Sequence, residues 1–555
     1  MVNIKYFFFI CSFVVISSCG DTKNSDLAIK AGAPLLNGLG NHSHLISSDV
    51  HGVQRYFDQG LVMSFAFNHA ESIRAFRAAQ TLDPNCAMCY WGEALALGPN
   101  INVNSDGKVI MSPQNRVAAF KAVNQAMSLS ENATPKEQAY IKALLVRYNG
   151  DLQTDRVPLD IAYADAMEQL SYSYPSDDDA SAMFAEALMN TMPWNYWAED
   201  GDPKSDTVKV IASLESVLER NPDHPLAIHL YIHAVEASSD PARAEKHADR
   251  LAALVPGAGH LVHMPAHIYW RVGRYHDASL ANIEAAKVDE DYIAQCNAQG
   301  FYPALYYPHN VHFLWASSSM EGRSKLSIDS ALKVSKYVRT EQIKQIPFLE
   351  FFHTIPLLSY VRFAKWKEIL SYKRPINEFK FSLGLYHYAR SIAFASTGDI
   401  LNATKEQQQI LPLTVAPEIK VIIKAGQPSD KLLEISHFLA LGQIELAKSN
   451  LDQAISYFNL AVEIQDALPY REPEFWFYPT RQSLGHALLI NKNFKQAVEV
   501  FNKDLERYPR NGWSYYGLHK AYEGLGNNSE SLKALNKHEN IWQMSDIKLK
   551  SSIIF

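Results

Sequence analysis

Apolar residues along most of this chain recur every three to four positions, and the stretches that carry the pattern are separated by short breaks bearing Gly or Pro. That spacing lays one apolar stripe along a helix and predicts helices almost throughout residues 51–545. The helices come in pairs. The second of a pair carries a small residue four positions before an aromatic one, and a proline follows: Ser72 with Phe76 before Pro84, Ala454 with Phe458, and Ala497 with Phe501 before Pro509. Ala497 to Ser531 and Pro222 to Pro256 are each separated by 34 residues, and Gly273, Gly322, Gly398 and Gly526 mark tight turns between paired helices. A single pair cannot bury its apolar face, so such units stack, and roughly eight to ten of them fit this length.

This pattern of small residue, aromatic and proline at a 34-residue period resembles the tetratricopeptide repeat over most of residues 50–540. The resemblance implies an all-α, right-handed solenoid of antiparallel helix pairs, with the first helix of each unit lining a concave groove. We divide it into N-terminal repeats (51–160), a histidine-rich central section (161–340) and C-terminal repeats (341–545). Asp291 to Pro308, Met192 to Asp206 and Gln465 to Phe477 are connections longer than a repeat requires, and in solenoids such loops often serve the binding face. Phrases such as Phe67-Asn68-His69-Ala70-Glu71, Gly98-Pro99-Asn100-Ile101-Asn102 and Asn511-Gly512-Trp513 look like those of a bacterial family of large exported tetratricopeptide proteins. That likeness implies fold and export, and no reaction.

The first residues read as a processing signal. Lys5 precedes an apolar run from Tyr6 to Ile16, which closes on Ser17-Ser18-Cys19-Gly20. The segment 1–18 is read as a signal peptide and resembles a bacterial lipobox, which implies lipidation at Cys19, a tether over 19–50 and a place at the cell envelope, facing periplasm or exterior. The body is then held to a membrane by its lipid anchor alone. A hydrophobic content of 47% supports a large core. The formal net charge of −7, without dense Lys/Arg runs, argues against nucleic acid as a partner.

Ten of the twenty histidines fall between His224 and His312, and they repeat in register. His229 and His233 recur 34 residues later as His263 and His267; His260 and His263 recur 49 residues later as His309 and His312. Aligned on their turns and prolines, four successive first helices present Glu186; His229, His233 and Glu236; His260, His263 and His267; and His309 and His312. Neighbouring helices pack about 8–10 Å apart, so imidazoles from adjacent units can converge on one ion. We expect His229, His233, His263 and His267 to form one four-coordinate set, His260, His309 and His312 to supply a second centre, and Glu186 and Glu236 to serve as ligands or to orient imidazoles. Nitrogen donors of this kind suit copper or zinc first, with iron or nickel as further options.

Other features carry less. Cys86-Ala87-Met88-Cys89 opens a helix and reads as a local disulfide or packed cysteines, with redox chemistry as the alternative. Cys296 is a further ligand or unpaired. His42, His44 and His51 are read as lying in a solvated loop, and His353 and His387 as packed. His486 and Tyr516 fall on the same stripe farther along, where they could extend a ligand channel. No nucleophile elbow, phosphate loop or dinucleotide fingerprint is present. Three functions follow: a lipid-anchored metal-binding module for sequestration, delivery or sensing; a metal-dependent oxidoreductase or hydrolase; or a scaffold whose groove takes a peptide or small molecule without metal.

Overall fold

The computed structural model describes residues 22–554 apart from 106–107, 199–200, 297 and 299. The signal segment and Cys19 lie outside the described residues. Antiparallel helix pairs follow one another along the chain, and among the described residues one short antiparallel strand pair, Asn104–Ser105 with Lys108–Val109, interrupts them. The protein is an all-α helical-repeat superhelix. Among the described residues no helix is long and apolar enough to cross a membrane.

The repeat pattern has a packing cause. Phe76 is fully buried with its ring against Gly60 and Gly92, where a Cβ would come within 2.9 and 2.2 Å of it. Phe501 fills the same role between Gly485 and Gly517, with Cβ approaches of 2.3 and 2.4 Å. Phe76 and Phe501 are thus each clamped by glycines on the first helices of their own unit and the next, and Phe458 packs against Gly442 of its own unit. Helix starts are fixed locally: Asn68 accepts from the Glu71 amide, and Thr134 and Glu137 form a capping box. Cys86 and Cys89 form a disulfide at the start of helix Ala87–Leu97.

The superhelix is closed rather than open-grooved. At its start, the Phe65–Phe67 turn enters the interior, and Tyr292 donates to Glu71 across the coil. At its end, the Trp513 and Trp542 indoles donate to the carbonyls of Ser319 and Met320, both at 3.0 Å. Arg362 lies 3.5 Å over the Trp513 ring. Gly273 has φ +76° with the Pro509 carbonyl against it, so both its backbone and its surroundings require glycine. The histidine stripe therefore faces a filled centre, where the sequence reading expected a groove wall.

The leading segment also differs from the expected tether. Thr22–Ala31 is helical, Tyr56 donates to the Ala33 carbonyl at 2.6 Å, and the Gly257 amide donates to the Gly38 carbonyl at 2.7 Å. Residues 33–45 pack because their backbone groups find partners on two repeat units. The 291–308 insertion is helical at both ends, where it lengthens Tyr275–Cys296 and begins Phe301–Met320.

Candidate metal centre

Four helices supply the imidazoles. Pro225–Val235 carries His229 and His233 one turn apart, and Glu236 continues its last turn. His260 and His263 lie on Gly259–His263, and His267 lies on Pro265–Arg271, where Pro265 opens a new helix. His309 and His312 follow Pro308 inside Phe301–Met320. All are buried except His309, which is half-buried.

The donor atoms form two sets. In His229, His233 and His260, one ring nitrogen from each lies within 4.8 Å of the others; the same holds for His263, His267 and His309. The expected division is thereby redrawn: His260 joins His229 and His233, and His309 joins His263 and His267. The 3.6-residue twist is the reason, since on Gly259–His263 it turns His260 toward the preceding unit and His263 toward the following one.

Two of the expected residues stay outside. His312 packs among Trp315, Phe351 and Phe352, with ring centroids 5.1–5.6 Å away, and burial holds its pKa down at about 3. Three positions after His309, it is turned away from the set and toward the next unit. Glu186 shares no hydrogen bond with an imidazole; its carboxyl is raised by burial to about 7, against the opposing charge of Arg147. His486 is also elsewhere, its Nδ1 2.6 Å from the Ser551 hydroxyl. His353 and His387 are partly buried, on the Val338 carbonyl and Glu406 respectively.

Hydrogen-bond partners decide which nitrogen of each ring is free. His229 Nδ1 is 2.6 Å from the Phe65 carbonyl, which only accepts, so Nδ1 carries the proton. His263 Nδ1 is 2.7 Å from Asn282 Oδ1, and the Asn282 amide nitrogen is occupied by the Ala278 carbonyl at 2.7 Å. Glu236 takes the other two: His233 Nδ1 at 2.9 Å and His267 Nδ1 at 2.5 Å, one from each set. Four imidazoles are thus held by Nδ1–H, with Nε2 turned inward. His263 Nε2 and His267 Nε2 are 2.9 Å apart, His229 Nε2 and His260 Nε2 are 3.2 Å apart, and His233 Nε2 is buried without a hydrogen-bond partner.

Burial first, and the neighbouring imidazoles after it, hold His229, His260, His263 and His309 well below the usual histidine value. They are neutral, the state that binds a metal. Burial acts the same way on His267, but Glu236 and Glu472 outweigh it and raise this ring. Glu472 Oε2 lies 3.3 Å from His267 Nδ1, brought there by the long connection after helix Leu451–Asp466. Neither Glu472 nor Asn282 was identified from sequence. The only signal was the length of the 465–477 loop, which gives no residue.

Aromatic rings wall the cluster. Phe67, at φ +56°, is centred 4.5 Å from His229 and 5.5 Å from His260 and lies nearly parallel to His233. Trp194, from the 192–206 loop, meets His233 edge-on at 5.1 Å, and Phe313 lies 5.2 and 5.0 Å from His263 and His267. Such walls lower the local dielectric and raise the cost of any uncompensated charge.

Residues 438–467 match the family model for the tetratricopeptide repeat, a stretch that covers the end of Ser429–Ala447 and the whole of Leu451–Asp466. No curated protein matches the chain. Among solved structures it is similar to a human IFIT1 dimer with PPP-AAAA (12% identity, 89% of this chain and 91% of that one, TM-score 0.32). It is also similar to the Cut9–Hcn1 hetero-tetramer of APC/C (13%, 89% and 88%, 0.29) and to the P58(IPK) TPR domain (12%, 89% and 99%, 0.21). With a matched repeat at 438–467 and antiparallel helix pairs stacked along the described chain, this is an all-α helical-repeat protein that carries a repeat of the tetratricopeptide type.

Proposed function

We propose that this repeat scaffold binds transition-metal ions in its interior, one at His229, His233 and His260 and one at His263, His267 and His309. The observation that carries the reading is the use of Nδ1. Four imidazoles give that nitrogen to fixed acceptors and turn Nε2 toward one another, the outer-shell pattern of metal-bound histidine. With His267 kept charged by its carboxylates, its Nε2–H donates to His263 Nε2 at 2.9 Å, and a bound metal ion would take the place of that proton. Two nitrogens about 2.05 Å from one ion, at roughly 90–100° to each other, lie about 2.9–3.2 Å apart, which matches both Nε2 pairs. Copper or zinc suits such donors best, with iron or nickel next.

Sequestration, delivery or sensing of the metal is the reading we favour, because the donors are buried and walled by aromatic rings. The number of imidazoles supports a second. Three protein ligands per ion leave a coordination position open, as catalytic centres do, so a metal-dependent oxidoreductase or hydrolase uses the same residues. A third reading, a scaffold that binds a protein or peptide, is supported by the matched repeat, with the partner on a surface other than the internal histidine stripe. The lipobox-like segment supports attachment at Cys19 to a membrane of the cell envelope, which loss of lipid labelling in Cys19→Ser tests.

Elemental analysis of untagged protein tests the main reading. We expect about two equivalents, and loss of at least one in the His263→Ala/His267→Ala double variant. Absence of bound metal after growth and purification in metal-replete medium overturns both the binding and the enzymatic reading. Azide perturbing the spectrum of the loaded protein favours the enzyme.

A further inference from the structure

After helix Asn528–Ile541 the chain folds back over its last repeats. Asp546 accepts the amides of Ser324 and Lys325 at 2.6 and 2.9 Å, Ser552 donates to the Gln482 carbonyl at 2.8 Å, and Leu549 and Ile553 are buried. Between this returning segment and helices Arg481–Ile490, Phe494–Arg507 and Gly512–Gly524 lies an open cavity of about 650 Å³. Small-molecule sites commonly fall in the range of about 300–1,000 Å³.

The lining is of two kinds. Leu489, Ile490, Phe494, Ile553 and Ile554 supply hydrocarbon. Ile490 stays 45% exposed, and Leu489, Phe494 and Ile554 are half-buried, so the fold leaves apolar surface uncovered here. A Cβ at Gly524 would come within 2.4 Å of the Phe494 ring, so glycine lets that ring pack against Gly512–Gly524. Beside the hydrocarbon stand Lys520, Lys548 and Lys550, with Glu523 as the one lining carboxylate. Lys520 takes Glu523. Lys548 and Lys550 are exposed on either side of buried Leu549 and make no ion pair among the described residues, which leaves two positive charges uncompensated. His486 and Ser551, joined at 2.6 Å, complete the lining.

We propose that this cavity binds a single-chain anionic amphiphile, a long-chain carboxylate. Its hydrocarbon lies on Leu489, Ile490, Phe494 and Ile554, and its head group pairs with Lys548 and Lys550. Removal of apolar surface from water supplies the affinity, and the two lysines select the sign of the head group. A cationic amphiphile of the same length meets repulsion instead. The apolar surface lies inside a cavity, not on a protruding face, which favours one dissolved molecule over the surface of a bilayer. No residue is shared with the interior histidine sets, and binding needs no metal.

Equilibrium dialysis of full-length protein against radiolabelled dodecanoate, below its micellar concentration, tests this. We expect one saturable equivalent, with affinity rising by up to about fourfold per methylene from octanoate to dodecanoate. Lys548→Glu/Lys550→Glu should lower affinity by about tenfold, because an exposed ion pair contributes up to about fivefold and reversal adds repulsion. Ile490→Glu, which sets a carboxylate on the hydrocarbon wall, should abolish binding. Circular dichroism melts check folding, and should one variant fail to fold, the other carries the test. Dodecyltrimethylammonium binding as tightly as dodecanoate overturns the proposal. So does a dodecanoate affinity unchanged in the folded variants, or no saturable binding to wild type. Binding to phosphatidylglycerol vesicles without binding of monomeric dodecanoate overturns it in favour of a membrane-facing surface.

Discussion

Replacing Glu236 with glutamine tests the interior centre at its narrowest point. This carboxylate is buried and accepts Nδ1–H from His233 and from His267, one imidazole of each set. A glutamine of the same shape has one oxygen to accept and one NH₂ that only donates. One imidazole therefore faces a donor and must rotate or move its proton to Nε2, which removes that nitrogen from the ligand set. The full charge that balances the bound cation is lost as well. Removal of such an outer-shell partner weakens metal affinity by about 10–100-fold, or about 1.4–2.8 kcal/mol at 1.4 kcal/mol per tenfold. Competition of apo-protein with a chromophoric zinc chelator reads this directly, with thermal melts by circular dichroism as the folding control. Glu186→Gln, whose carboxylate answers to Arg147, serves as the comparison and should leave affinity unchanged. An affinity of Glu236→Gln within twofold of wild type would show that Glu236 orients nothing a metal uses.

Further outcomes follow from the same geometry. His260→Ala and His309→Ala each remove one imidazole from a different set, so each should weaken a different equivalent, and their double variant should weaken both; dialysis against labelled zinc separates the steps. Zinc binding at pH 7 should release a proton from His267, which its two carboxylates keep charged in the apo-protein, and an indicator dye in weak buffer counts it. Phe67→Ala opens a cavity beside His229, His233 and His260 and should lower stability by about 3–5 kcal/mol, seen as an earlier melting transition. Asp289 is raised by burial to about 7, above its unfolded value of 3.8. Its penalty is absent below the unfolded value and grows as pH rises to about 7, reaching at most about 4 kcal/mol. Asp289→Asn should flatten that decline in denaturant titrations between pH 4 and 8.

The fold was readable because its packing rule is local. A small residue and an aromatic four positions later recur at repeat spacing, and the aromatic packs into neighbouring first helices, as Phe76 does between Gly60 and Gly92. The stripe of imidazoles was readable for the same reason. Its division into sets was not, because it depends on the rotation of two short helices at Met264–Pro265, to which a count of spacings is blind. Glu472 and Phe67 were missed since they arrive from units far away in sequence, and their approach depends on how tightly the superhelix winds. His42 and His44 were misread as solvated because nothing in the leading segment signals its partner, Asp179, some 135 residues on from His44.

The docking of the last helices onto the middle of the coil changes how such a chain comes into being. In an open array each unit needs only its neighbours, and a nascent chain can settle repeat by repeat. Here Ser319 and Met320 wait for Trp513 and Trp542, and His267 waits for Glu472. The histidines emerge and pair long before the segment that completes their surroundings has been synthesised. Closure of the coil thus depends on the carboxyl-terminal third, and a chain cut after residue 450 would carry every interior imidazole yet lack the contacts that shut the coil around them.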